Sequence, residues 1–140
     1  MTSRAIVLLL SLLFVSSNAF AAASSDPVAE LKKVQKINND NAIKFFTTEI
    51  AKKPKEAAFY AKRGKAYSGN KDYEPAMADY EQAMQLDPKL ADAYVGRAVI
   101  HLMKEDYDKC WADVHKAESL GGKFWPTFMD ALKDGSGRDK

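Results

Sequence analysis

The sequence repeats itself at an interval of 34 residues, and this repeat restricts the fold more than any other feature. Residues 57–90 align with residues 91–124 without a gap, and ten of the 34 pairs are identical. The identical pairs include Ala57 with Ala91, Tyr60 with Tyr94, Arg63 with Arg97, Asp79 with Asp113 and Ala83 with Ala117. A fixed period of this length predicts a stacked array in which each unit packs against its sequence neighbours.

Each copy is predicted to contain two antiparallel helices, because apolar and small residues recur at helical spacing on both sides of a short polar break. In the first copy the helices are expected over residues 57–69 and 73–86. In the break Gly69-Asn70-Lys71-Asp72, the glycine can adopt the left-handed backbone that ends a helix. The carboxylate of Asp72 can then act as an N-cap and accept hydrogen bonds from the free backbone amides of the next helix. Asp106 is the equivalent N-cap of the second copy.

With Ala57 as position 1, the first copy has aromatic, small and proline residues at positions 4, 8, 11, 20, 24, 27 and 32, namely Tyr60, Gly64, Tyr67, Ala76, Tyr80, Ala83 and Pro88. These residues fill the pattern of the tetratricopeptide repeat family, which the first copy resembles. The second copy keeps Tyr94, Ala98 and Ala117, but departs from the pattern at His101, Cys110, Val114 and Gly122. The resemblance implies an all-α fold, a short α-solenoid of helix-turn-helix repeats with a C-terminal capping helix.

The segments on either side of the two copies are predicted to extend the array. Residues 22–56 are interpreted as a degenerate first repeat, with one helix over 28–37 and a second over 39–55. Residues 91–124 form the atypical second copy. Residues 125–134 are predicted to cap the array through an apolar face of Trp125, Phe128, Met129 and Leu132, and residues 135–140 are expected to be a disordered tail.

The N-terminus has the pattern of a cleavable signal peptide over residues 1–21. Arg4 precedes an apolar run from Ala5 to Val15, and small residues at positions 19 and 21 favour cleavage after Ala21, with Ala23 as the alternative. The run would form about 16 Å of helix against a hydrocarbon core of about 30 Å, so stable membrane insertion after cleavage is not expected. An uncleaved anchor is the other interpretation. The chain is therefore predicted to be exported, either periplasmic or secreted.

The resemblance also implies a binding groove, because the first helix of each tetratricopeptide repeat lines a concave surface that holds a peptide or a helix. The groove residues predicted in this chain are Lys65, Ser68, Asp92, Val95, Val99, Leu102 and Met103, beside Ala58, Ala61 and Gly69. Val95, Val99 and Leu102 form one apolar stripe at helical spacing. This stripe either faces a partner or is covered by the capping segment.

No residues point to catalysis, a cofactor or a metal. Arg63 and Arg97 are predicted to be structural, stacking on tyrosines or bridging to aspartates one helix away, and Cys110 is predicted to be a core residue. A net charge of +2 does not favour nucleic-acid binding. The sequence thus predicts an exported, non-enzymatic interaction module of the bacterial cell envelope with a protein or peptide partner. The alternative is a structural unit that associates with itself as a homo-oligomer.

Overall fold

The computed structural model describes residues 26–139, and the predicted signal peptide lies outside them. Residues 26–139 contain helices and turns but no strand. In chain order the helices are α1 (Pro27–Lys52), α2 (Ala57–Gly69), α3 (Tyr73–Leu86), α4 (Ala91–Met103), α5 (Tyr107–Ser119) and α6 (Pro126–Ser136). The all-α fold predicted from the repeat is confirmed, and α2 and α3 have the bounds expected for the first copy.

Residues 27–52 form one continuous helix of 26 residues, so the prediction of two helices separated near residue 38 was wrong. The reason lies in the residues at the expected break. No Gly or Pro occurs between Val28 and Lys52, and the carboxylate of Asp40 accepts from Lys36 one turn earlier, with an N–O distance of 3.1 Å. This i, i+4 pair favours an uninterrupted helix.

Within the compact unit that begins at residue 36, the two copies pack through two clusters of buried side chains. Helix α2 packs on α3, α4 on α5, and α3 on α4. The first cluster contains Ala61, Ala76, Tyr80, Ala83, Ala93 and Ile100. The second contains Ala98, Cys110, Trp111, Val114, Phe128 and Leu132, and it joins α4 and α5 to α6. Burial of this apolar surface is the main term that stabilises the fold.

Gly64 allows α2 and α3 to approach closely. A methyl group at residue 64 would lie 3.1 Å from Cε1 of Tyr80 and 3.2 Å from the carbonyl oxygen of Ala76. Helices can approach this closely only where one of them presents no bulky side chain. Close packing on the Tyr80 ring therefore accounts for a glycine inside a helix, which costs about 1 kcal/mol relative to alanine.

The two turns inside the copies have the same backbone geometry, and it differs from the prediction in two ways. The left-handed residue is Lys71 in the first turn and Glu105 in the second, with φ of 66° and 59°, rather than Gly69. Asp72 and Asp106 occupy the N-cap positions, but neither side chain makes a capping hydrogen bond. The carboxylate of Asp106 instead pairs with Lys109 at 2.7 Å. Backbone hydrogen bonds therefore hold these turns, including Asp72 N to Tyr67 O at 3.0 Å.

Helix α6 follows Trp125 and packs on α5 through Phe128 and Leu132, which are both buried. It continues to Ser136, so the prediction of disorder was wrong for Gly135 and Ser136. The indole N–H of Trp111 donates to Ser136 Oγ at 3.0 Å. Gly135 lies against the Tyr107 ring, where a larger residue would collide. These contacts hold the last helical turn, which ends at Gly137 in the left-handed conformation.

Across residues 26–139, none of the helices is both long enough and apolar enough to span a membrane.

Candidate functional site

Helices α2 and α4, the first helices of the two copies, line an open cleft of about 450 Å³. We use "the cleft" for this space and its lining residues, which come from α2, α3, α4 and the two loops that precede α4 and α6. They are Ala58, Ala61, Lys62, Lys65, Ser68, Tyr80, Leu90, Asp92, Val95, Gly96, Val99 and Trp125. A concave, mostly apolar surface with a few polar groups at its edge is the usual form of a binding site.

The floor of the cleft depends on a close contact between Tyr80 of α3 and Gly96 of α4. Tyr80 is only 2% exposed. Burial raises the pKa of its hydroxyl well above the usual range, with smaller contributions from the carboxylates of Asp79 and Asp92. A methyl group at residue 96 would overlap the outer edge of the Tyr80 ring. The glycine therefore lets the ring fill the space between the helices without pushing α4 outward.

Charged and aromatic side chains lie around this apolar floor. Lys62 and Lys65 come from α2, and Asp92 comes from the first turn of α4. The Lys62 ammonium lies over the ring of Phe46, 5.8 Å from its centroid. Trp125, at the loop before α6, is 49% exposed and packs edge-on against Phe128 at 5.3 Å between centroids. An exposed aromatic ring beside an apolar cleft is the type of residue that dominates binding energies at interfaces.

Five of the seven predicted groove residues line the cleft, namely Lys65, Ser68, Asp92, Val95 and Val99. Leu102 and Met103 do not. Leu102 packs against the buried cluster that joins α5 and α6, and Met103, at the end of α4, is 62% exposed outside the cleft. The apolar stripe of α4 is thus divided, because Leu102 packs against the second buried cluster while Val95 remains at the cleft.

Gly69 was also predicted in the groove, but it lies elsewhere. A methyl group there would come within 2.6 Å of the Asn39 side chain, so this residue faces α1. Sequence reasoning missed Lys62, Tyr80, Leu90, Gly96 and Trp125 as lining residues. Gly96 could have been found, since an interior helical glycine calls for a close neighbour. Trp125 was assigned to the buried face of the cap because it shares helical spacing with Phe128.

The sequence model of the tetratricopeptide repeat family matches residues 57–90. Residues 57–90 are a tetratricopeptide repeat. Twenty-two chains of solved structures also match this chain. One of them, the yeast Sti1 TPR2AB domain in complex with pHSP90, aligns at 22% identity and a TM-score of 0.55. The alignment covers 96% of this chain and 52% of the yeast chain, so this chain spans about half of that length. No curated protein matches the chain.

An arginine–aspartate pair recurs one period apart, in the tetratricopeptide repeat and in the copy that follows it. Arg63 donates to both carboxylate oxygens of Asp79 at 2.8 and 2.7 Å, and Arg97 does the same to Asp113 at 2.8 Å each. These hydrogen bonds are the main reason that the pKa of each guanidinium is raised. Arg63 also lies over the Tyr60 ring at 5.8 Å. The predicted structural role of both arginines is confirmed, and neither lines the cleft.

Two buried residues of the second copy, His101 and Cys110, differ from Tyr67 and Ala76 at the equivalent positions of the first copy. His101 Nε2 lies 3.8 Å from Asp113 Oδ2, and burial lowers the pKa of the imidazole against the opposing effect of that carboxylate. The Cys110 thiol is fully buried and donates to the carbonyl oxygen of Ala98 at 3.3 Å. The prediction that Cys110 is a core residue is confirmed. Within the described range, no three His, Cys, Asp or Glu side chains are grouped so that they could hold a metal ion.

Proposed function

We propose that this chain is an exported, non-enzymatic interaction module of the bacterial cell envelope, and that its cleft binds a peptide or a helix of a partner protein. The observation that carries the proposal is the cleft itself. It has a volume of about 450 Å³ and an apolar floor edged by lysine, aspartate and an exposed tryptophan. Such a surface suits a polypeptide segment that buries apolar side chains and leaves its polar groups in water.

Two further observations support the proposal. The solved structure of the yeast domain in complex with pHSP90 has a similar fold, although the similarity extends to the fold alone. The first 21 residues have the charge and hydrophobicity pattern of an export signal. Export can be tested separately. We expect the intact mass of the protein from an envelope fraction to correspond to residues 22–140 or 24–140, whereas a full-length mass in the cytoplasm would contradict it.

Cleft binding is best tested by photo-cross-linking from inside the cleft. A photoreactive phenylalanine at residue 95 is expected to cross-link a partner segment in native envelope extract. The same group at residue 78, exposed on α3 and outside the cleft, should not. Mass spectrometry of the adduct gives the identity of the segment. Equal adducts from both positions, or none from either, would contradict a binding cleft.

A matched variant tests the same site without the cross-linker. Val95→Glu places a charge on the apolar floor and is expected to abolish capture of the partner, while Ala78→Glu leaves capture unchanged. Val95 is the better choice over Leu102, because Leu102 packs against the cluster around Phe128 and Leu132 and its replacement would disturb the fold. Unchanged helicity by circular dichroism is the control for both variants.

Self-association is the second candidate function, and the exposed ring of Trp125 favours it because a second copy could cover this surface. Sedimentation of the mature chain over a dilution series tests it. A mass that falls to that of one chain on dilution, and a Trp125→Ala variant that stays monomeric, would support it. A monomer at all concentrations would exclude it.

A further inference from the structure

The cleft carries exposed charges of opposite sign on opposite walls. Lys65 lies on α2 and Asp92 on α4, and both are exposed. Among residues 26–139, neither side chain takes part in an ion pair, whereas Arg63 and Arg97 are each held by an aspartate. The charges of Lys65 and Asp92 are therefore able to pair with a molecule that lies in the cleft.

Apolar side chains line both walls of the cleft beside these charges. Ala58 and Ala61 come from the lysine side, and Val95 and Val99 come from the aspartate side. Lys62 adds a second cation to the α2 wall, beside the ring of Phe46. The cleft therefore carries cations on its α2 wall, a carboxylate on its α4 wall and apolar side chains on both. A segment with the complementary order would pair both charges, while one with two like charges would meet repulsion at one wall.

We propose that the cleft selects a partner segment in which a bulky apolar side chain is flanked by an acidic residue and a basic residue. The acid lies beside Lys65 and the base beside Asp92. This proposal rests on the proposed function, because it assumes that the cleft holds a polypeptide segment. It assigns recognition to side-chain charges within the segment and requires no free terminal carboxylate.

Three synthetic peptides, each acetylated and amidated so that the termini carry no charge, provide the probe. They share one apolar centre and differ only in flanking charges, which are Glu with Lys, Glu with Glu, and Lys with Lys. Fluorescence anisotropy with the full chain measures affinity. We expect the mixed peptide to bind about threefold more tightly for each additional charge pair at low salt. This preference should disappear near 1 M NaCl, where the screening length falls to about 3 Å.

Charge reversal in the protein assigns the preference to the charged residues of the two walls. Reversal of both cations of the α2 wall, Lys62→Glu with Lys65→Glu, is expected to make the peptide with two lysines the best ligand, and Asp92→Lys the peptide with two glutamates. The variant with all three changes should again prefer the mixed peptide. Lys116→Glu, exposed on α5 outside the cleft, is the matched control and should leave the order unchanged.

Three results would overturn this proposal. Equal affinity for the three peptides would show that the cleft binds without charge selection, and the proposed function would survive. Absence of binding by all three would reject the proposed segment chemistry, while cross-linking from residue 95 decides separately whether the cleft binds any partner. A peptide that occupies the cleft is also expected to change the intrinsic fluorescence of Trp125, and this change should be lost in the Trp125→Phe variant. Peptide binding that leaves the fluorescence of Trp125 unaffected would count against the proposal.

Discussion

The ring of Tyr80 lies against the backbone of Gly96, in the space where any other residue would place its first side-chain carbon. Tyr80 also contacts Gly64, which lies 32 residues before Gly96, so one aromatic ring packs against a glycine of α2 and a glycine of α4. The floor of the cleft and the junction between the two copies thus depend on the same three residues.

Gly96→Ala is expected to destabilise the protein. Alanine is favoured over glycine in a helix by about 1 kcal/mol. The overlap with the Tyr80 ring is an overpacking defect of about 1–3 kcal/mol. We expect this cost to exceed the gain in helix propensity. Urea unfolding measures the difference. In a Tyr80→Leu background the overlapping ring atoms are gone, so the same substitution should become neutral or stabilising. Destabilisation of similar size in both backgrounds would contradict the proposed contact.

Asp113→Asn is expected to lower the free energy of unfolding by about 3 kcal/mol, the lower end for breaking a buried ion pair. Asp113 is 4% exposed and accepts two hydrogen bonds from Arg97, so its loss leaves a partly buried guanidinium without its counter-charge. Asp130→Asn, on the exposed side of α6, is the control and should change stability by less than about 0.5 kcal/mol. Equal effects of the two changes in thermal or urea unfolding would argue against a structural pair.

Stability is expected to fall as the pH is lowered below neutrality, through His101. Burial lowers the imidazole pKa in the folded state below the ordinary 6.5, so the unfolded chain binds more protons in that range. The contribution of neutral, buried His101 to stability is therefore complete above about pH 6.5, and it is lost as the pH falls through the folded pKa. Urea unfolding between pH 5 and 8 should show a flatter profile for His101→Phe. The exposed His115→Gln variant should retain the wild-type slope.

The thiol of Cys110 is expected to be inert in the folded protein. Burial raises its pKa to about 12, so almost none is thiolate at neutral pH, and the sulfur is fully buried. An aromatic disulfide reagent should label it only at the rate of unfolding, and labelling should increase with urea in parallel with loss of helicity. Rapid stoichiometric labelling in native buffer would contradict the burial of this residue.

The sequence predicted most of the repeat, because its landmarks are local. The packing roles of Gly64 and Tyr80 follow from the sizes of their side chains. Arg63 and Arg97 lie one period apart, so they could be expected to play equivalent roles. The flanks were harder to predict. The break near residue 38 was inferred from the need for a second helix in a full repeat, but the residues there carry no helix stop, and the structure has one helix.

The cleft was predicted less completely than the repeat, because helical spacing gives a face but not the neighbour that covers it. Leu102 has the same spacing as Val95 and Val99, yet it packs against the buried cluster that α4, α5 and α6 share. Trp125 shares spacing with Phe128, but it precedes the helix and lies beside the cleft. Both errors came from the position of α6, which depends on tertiary contacts such as the hydrogen bond from Trp111 to Ser136.

The two left-handed turns have a consequence for how the surface of such a protein can change over evolutionary time. Lys71 and Glu105 occupy equivalent corners, carry opposite charges and both face solvent. Their shared geometry is held by main-chain bonds, from Asp72 N to Tyr67 O and from Asp106 N to His101 O. The left-handed backbone disfavours β-branched side chains at each corner, but it sets no sign of charge, so either charge can occupy a corner without altering how neighbouring repeats stack.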